Sequence, residues 1–342
     1  MTDRDPLERR ASESRDLYDL AHWERRTALD RLSSLLHRIV LAIVRWGTIL
    51  VALLITAGVV QLSLDRIQAS SIPVVGLLTV CSAIPALALV AWVYRSDVTV
   101  SEPIDVLAAT FVLGVLFAGF AVVLESPFSA LGQGLFGQIL LFFLVVGPIE
   151  EGVKLLAVRV YAYRQPAFSA VIDGAVYGAV AGLGFATIEN ALYIGVDFVQ
   201  LPASSLLRTV SAGTDIAATR AIAGPGHVIY SAFAGYYLGL AKFNPKHAGP
   251  IIVKGLVIAS VIHATYNTLV GVFVGIVHGL YPNVPMLIPQ FGFVVLYLGL
   301  FGLLLFRKLN RYRETYRQLE EEVVDSSELS VDRTEFDDPV NH

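Results

Sequence analysis

Glu150, Glu151 and Lys154 stand inside an apolar run from Leu131 to about Tyr163. A charge near the centre of a bilayer costs at least a few kcal/mol, so three together demand a reason. Three further apolar runs carry ionisable groups: Glu189 followed by Asn190, then His227, then His263 with Asn267. Glutamate and histidine take and give protons, while imidazole and amide N–H groups stabilise an oxyanion. What these types together suit is activation of water for a hydrolytic attack, as at a proteolytic site. Proton relay in a transporter or channel uses the same residues and is the rival reading.

Spacing refines this. Glu150 and Lys154 are four apart, so they share a helix face and can pair. Glu151 then points about 100° away, toward another helix. His263 and Asn267 share a face in the same manner, as do Phe185 and Glu189. Glu189 has no cation within a turn of it in the sequence, which makes a purely structural role harder to assign. The depth of each residue in its run puts the site between the midplane and the outer leaflet.

The elements that must position these groups are transmembrane helices. The chain has 342 residues, 55% hydrophobic and only 16% charged, with a mean hydropathy of +0.64. Repeated apolar runs of roughly 20 residues indicate an all-α polytopic membrane protein. The alternation of a barrel is absent. Eight spans are expected, at about 39–64, 73–94, 104–124, 131–163, 172–196, 226–241 (with room to extend upstream), 251–277 and 286–306. The fourth overshoots a bilayer of about 30 Å, so Gly147-Pro148 is expected to break it just before the glutamates. In the fifth, Gly174, Gly178 and Gly182 recur every four residues, a pattern that admits a neighbouring helix closely.

Basic residues set the orientation. Arg95, then Arg159 and Arg164, then Lys242 and Lys246 follow spans two, four and six. The opposite loops hold Arg66, Arg208 and Arg220. Both termini are expected in the cytoplasm, with the protein in the cell membrane and the lipid bilayer as its surroundings. Residues 1–37 read as a cytoplasmic, amphipathic arm, 38–130 as accessory spans and 131–279 as the catalytic core. Residues 280–313 are the last span with its basic flank, and 314–342 an acidic, disordered tail. Cys81, the single cysteine, is expected to be a small packing residue. No nucleic-acid partner is expected.

No His-Glu-x-x-His, Gly-x-Gly-Asp or Gly-x-Ser-Gly occurs, which leaves glutamate and histidine chemistry. In that setting the residues resemble the four motifs of the PrsW family. The motifs are Glu150-Glu151-x-x-Lys154, Phe185-x-x-x-Glu189-Asn190, His227 in Gly-His-Val-Ile-Tyr-Ser, and His263-x-x-x-Asn267. The resemblance covers about residues 140–270. It implies an intramembrane or membrane-proximal endopeptidase acting in regulated proteolysis on a membrane-anchored protein. An anti-sigma factor is the substrate associated with that family.

Two mechanisms stand open under the resemblance. In one, His227, His263 and Glu189 bind Zn²⁺ and Glu150 or Glu151 deprotonates water. In the other no metal is used: Glu150 activates water, Glu189 assists, and His263 with Asn267 holds the oxyanion. Lys154 and Asn190 support either one. Which glutamate is the base stays open.

Overall fold

In the computed structural model the residues described are 16, 25–65, 67, 72–97, 99, 101–200 and 206–331. The side chains of 197–200, 206–213 and 320–331 are not among them. The described residues are helical, with no strand. The chain divides into two compact units, Met1–Val51 and Ala52–His342. Most of the N-terminal arm lies outside the described residues. Its end caps α1 (Ala28–Leu64): Asp30 accepts the Thr27 N–H at 2.7 Å, and its own N–H bonds the Thr27 hydroxyl at 3.1 Å.

The second unit continues with α2 (Ile72–Arg95), α3 (Ile104–Glu125), α4 (Gly134–Leu141) and α5 (Gly147–Val160). It ends with α6 (Val171–Gln200), α7 (Leu206–Lys242), α8 (Ala248–Leu280) and α9 (Leu287–Val331). Each expected span is therefore helical. Six stretches are long and apolar enough to cross a membrane, falling on α1, α2, α3, α6, α8 and α9. Of the other two expected spans, α4 and α5 are each too short to cross alone and are joined by the turn at Phe142–Val146, whereas α7 carries glycines and polar residues that lower its hydropathy.

Several expectations need correction. The sixth span starts at Leu206, some twenty residues early, so Arg220 is a helix residue and not a loop residue. Ala217-Ala218-Thr219-Arg220-Ala221 has good helix formers and no proline before Pro225. The presumed disordered tail is helical as far as Val331, because Leu303–Val331 contains neither Gly nor Pro. Cys81 is exposed on α2 and not packed.

α6 is the central helix and packs against α2, α3 and α7. Its glycines allow this. A Cβ on Gly178 would lie 2.2 Å from the Ser231 carbonyl oxygen, and one on Gly182 would lie 2.4 Å from that of His227. The stripe thus brings the His227 turn of α7 against the helix that carries Glu189. Gly178→Leu is expected to cost roughly 3 kcal/mol or more. Thermal unfolding of the detergent-solubilised protein measures this, with Gly275→Leu, in open space, as the unaffected control. A Gly178→Leu midpoint equal to wild type would mean the two helices do not touch there.

Candidate active site

The fourth span does not break at Gly147-Pro148: it stays helical through a π turn, Phe142–Val146, that joins α4 to α5. Pro148 then sits in the first turn of α5, where its missing N–H is tolerated. A Cβ on Gly147 would be 2.8 Å from the Ser260 carbonyl, so α5 closes on α8 beside His263. One turn of α5 supplies Glu150, Glu151 and Lys154; all three are buried.

Lys154 organises the polar centre. Its Nζ donates to Glu151 Oε1 at 2.8 Å and Glu150 Oε2 at 3.1 Å, and lies 2.9 Å from His227 Nδ1. An ammonium has only donors, so His227 Nδ1 accepts and Nε2 carries the ring proton. That Nε2 lies 2.9 Å from Glu189 Oε2. Arg220 bonds the same Glu189 oxygen and gives its Nε–H to the Asn190 side chain at 2.9 Å. Asn190 in turn donates to Ser82 on α2 at 3.0 Å. On the other flank Glu151 Oε1 is 2.9 Å from His263 Nδ1. Five helices, α2, α5, α6, α7 and α8, are thereby joined by one hydrogen-bonded chain.

Aromatic rings enclose it. The Phe185 ring lies 4.1 Å from Lys154 Nζ, and Tyr230 stacks on His263 with centroids 5.0 Å apart. A cavity of about 600 Å³ opens beside the chain. Glu150, Glu189, His227, His263 and Asn267 border it; Glu151 and Lys154 do not. Glu151 is fully buried behind the cavity, with Ser231 Oγ 3.4 Å from its second oxygen.

The sequence reading overlooked three bordering residues. Arg220 lies seven residues before His227 and Tyr230 three after it, so both share its face of α7. Glu125 ends α3, and its charge at the close of an apolar run was the available signal. The Tyr230 hydroxyl and Glu125 Oε1 are buried without a hydrogen-bond partner among the described residues. Each offers a polar atom to whatever enters the cavity.

Possible metal donors also come together here. Donor atoms of Glu150, Glu151, His227 and His263 all lie within 4.8 Å of one another. Glu189 is not in that group; its carboxylate lies against Arg220 and His227 Nε2.

Residues 102–300 match the family model described as PrsW family intramembrane metalloprotease. A curated relative, Protease PrsW of Halalkalibacterium halodurans, is 31% identical over 186 residues, covering 54% of this chain and 79% of that protein. Protease PrsW of Shouchella clausii is 28% identical over 212 residues, covering 62% and 90%. That of Bacillus subtilis is 29% identical over 185 residues, covering 54% and 78%. No solved structure matches.

Proposed function

The chain belongs to the PrsW family of intramembrane metalloproteases, and from that premise we propose that Glu150 activates the water that cuts the substrate. The protein is an integral membrane endopeptidase. A transporter role has no support among its relatives. The observation that carries the assignment is the division of the two glutamates: Glu150 borders the cavity, whereas Glu151 is sealed behind it.

Glu150 takes a proton from a cavity water as the oxygen adds to the peptide carbonyl, and returns it to the leaving amine. Lys154 supplies the counter-charge that two buried carboxylates require. Glu151 orients His263 through Nδ1. With a proton on its other nitrogen, His263 donates to the oxyanion beside the Asn267 amide. Glu189, gripped by Arg220, assists by fixing His227.

The family description implies a metal, and the donor types fit one. His227 and His263 with a glutamate make a catalytic zinc set, and such an ion supplies Lewis acidity toward the scissile carbonyl. Yet Lys154 Nζ already contacts three of those donor groups, and both nitrogens of His227 are engaged. A Zn²⁺ ion enters only if the ammonium withdraws. The glutamate mechanism is therefore the leading reading and zinc the second.

The substrate class we assign is a membrane-anchored protein, anti-sigma-factor-like in the family's manner. We place the protein in the cell membrane with both termini cytoplasmic. Arg95, Arg159 and Arg164 on one side support this, and moving Arg220 into a helix removes a contrary charge from the loops.

Purified protein stripped with a chelator is expected to keep cleaving a membrane-anchored reporter, with metal well below one equivalent. About one equivalent of zinc, with activity lost on stripping and restored by zinc, would reverse the order of the two mechanisms.

A further inference from the structure

A second cluster of carboxylates sits at the head of α6, away from the catalytic chain. Asp173 and Glu189 are sixteen residues apart on that helix, about 24 Å at ~1.5 Å per residue. Asp97 belongs to the connection between α2 and α3, and Glu102 lies two residues before α3. One oxygen each from Asp97, Glu102 and Asp173 lies within 4.8 Å of the others. Glu102 is 2% exposed and Asp173 fully buried.

The hydrogen bonds around these groups leave a gap. Asp173 Oδ2 accepts the N–H groups of Ser169 and Ala170 at 2.7 and 2.8 Å. Asp97 Oδ1 accepts the N–H and hydroxyl of Thr99, both at 2.8 Å. Asp173 Oδ1 has only a long 3.4 Å contact from that hydroxyl. Asp97 Oδ2 and both carboxylate oxygens of Glu102 receive no N–H or hydroxyl hydrogen among the described residues, and Asp97 and Glu102 lie within hydrogen-bond reach of each other, where only a proton or a cation between them can join the two.

Tyr177 is independent of the carboxylates and points to the same gap. Its hydroxyl is fully buried and likewise without a partner among the described residues. It stands one turn beyond Asp173 on the same face, and helical side chains lean back toward the N-terminus, here toward the cluster. Glu102 and Asp173 are the charges that act most strongly on that hydroxyl. Four orphaned oxygens thus converge.

No Lys, Arg or His lies within ion-pair distance of the three carboxylates among the described residues. The nearby Lys242 ammonium is committed to the carbonyls of Tyr163 and Phe168, at 2.8 and 2.7 Å. Buried carboxylates without a counter-charge are costly, and a bound cation or a proton must offset them. Burial first, and then the charge of Asp97, push the Glu102 carboxyl up to about 9. An all-oxygen donor set suits a hard divalent cation rather than a nitrogen- or sulfur-seeking metal.

We propose that Asp97, Glu102 and Asp173, with the Tyr177 hydroxyl, bind a divalent cation of the Mg²⁺ or Ca²⁺ class that ties the α2–α3 connection to the head of α6. This is a structural site, separate from the proteolytic centre.

The test uses full-length protein in detergent, chelator-treated and then titrated with Ca²⁺ or Mg²⁺. Its unfolding midpoint is expected to rise by several degrees by the time the cation reaches about 100 times its Kd, and to keep rising with the logarithm of its concentration beyond that. Glu102→Gln keeps the shape and cannot ionise, so it should fold. It is expected to weaken cation binding at least ~10-fold. A wild-type midpoint indifferent to both cations would overturn the proposal, leaving a proton as the occupant. So would a cation response that Glu102→Gln retains in full, which places the binding elsewhere.

Discussion

Glu150→Gln is expected to lower turnover of a membrane-anchored reporter by about 10²- to 10⁴-fold, the range for loss of a positioned general base. The amide keeps the volume of the carboxylate and an oxygen that accepts from Lys154, so the unfolding midpoint should stay near wild type. The loss should appear in kcat rather than KM, because Glu150 acts on water and not on substrate binding. Glu151→Gln differs in kind. Its carboxylate is fully buried and bonded to both Lys154 and His263, so that variant should lose stability together with activity. Near-wild-type turnover in Glu150→Gln would remove Glu150 as the base. If Glu151→Gln alone were inactive and still stable, the two roles would be exchanged.

How far the sequence revealed this site follows from what each signal measures. Four consecutive apolar runs that each contain a glutamate or histidine point to one polar cluster, because isolated intramembrane charges are too costly to scatter. The pairing of Glu150 with Lys154 follows from helical spacing alone, and it forms at 3.1 Å. The glycine stripe on α6 likewise announces a close helix contact, although not that α7 is the partner.

Which glutamate meets the cavity is not legible in the sequence. The π turn at Phe142–Val146 adds one residue to the helical count and rotates everything after it by about 100°. No periodicity in the apolar residues betrays that shift. Arg220 was hidden for another reason. The polar stretch before His227 lowers local hydropathy, so it reads as a loop even though its alanines sustain a helix. Glu189 therefore seemed to lack a cation, while the cation sits one helix away.

Lys154→Met probes the counter-charge at the centre of the site. Met fills a similar apolar volume and can keep the contact with the Phe185 ring, but it removes the one cation between Glu150 and Glu151. Removing one partner of a buried ion pair leaves the other unpaired in low dielectric, a cost of about 3–5 kcal/mol. The single variant is therefore expected to unfold at a much lower midpoint and to be inactive. Adding Glu151→Gln removes one of the stranded charges, so Lys154→Met with Glu151→Gln should recover a large share of the lost stability, read as a coupling energy between the two positions. Activity should not return with it, because His263 loses its carboxylate partner and Glu150 still lacks its cation. If the single variant matched wild type in stability, Lys154 would not be the cation that holds these carboxylates. If the double variant regained turnover, the ammonium and Glu151 would serve the fold alone and the reaction would need only Glu150 and the two histidines.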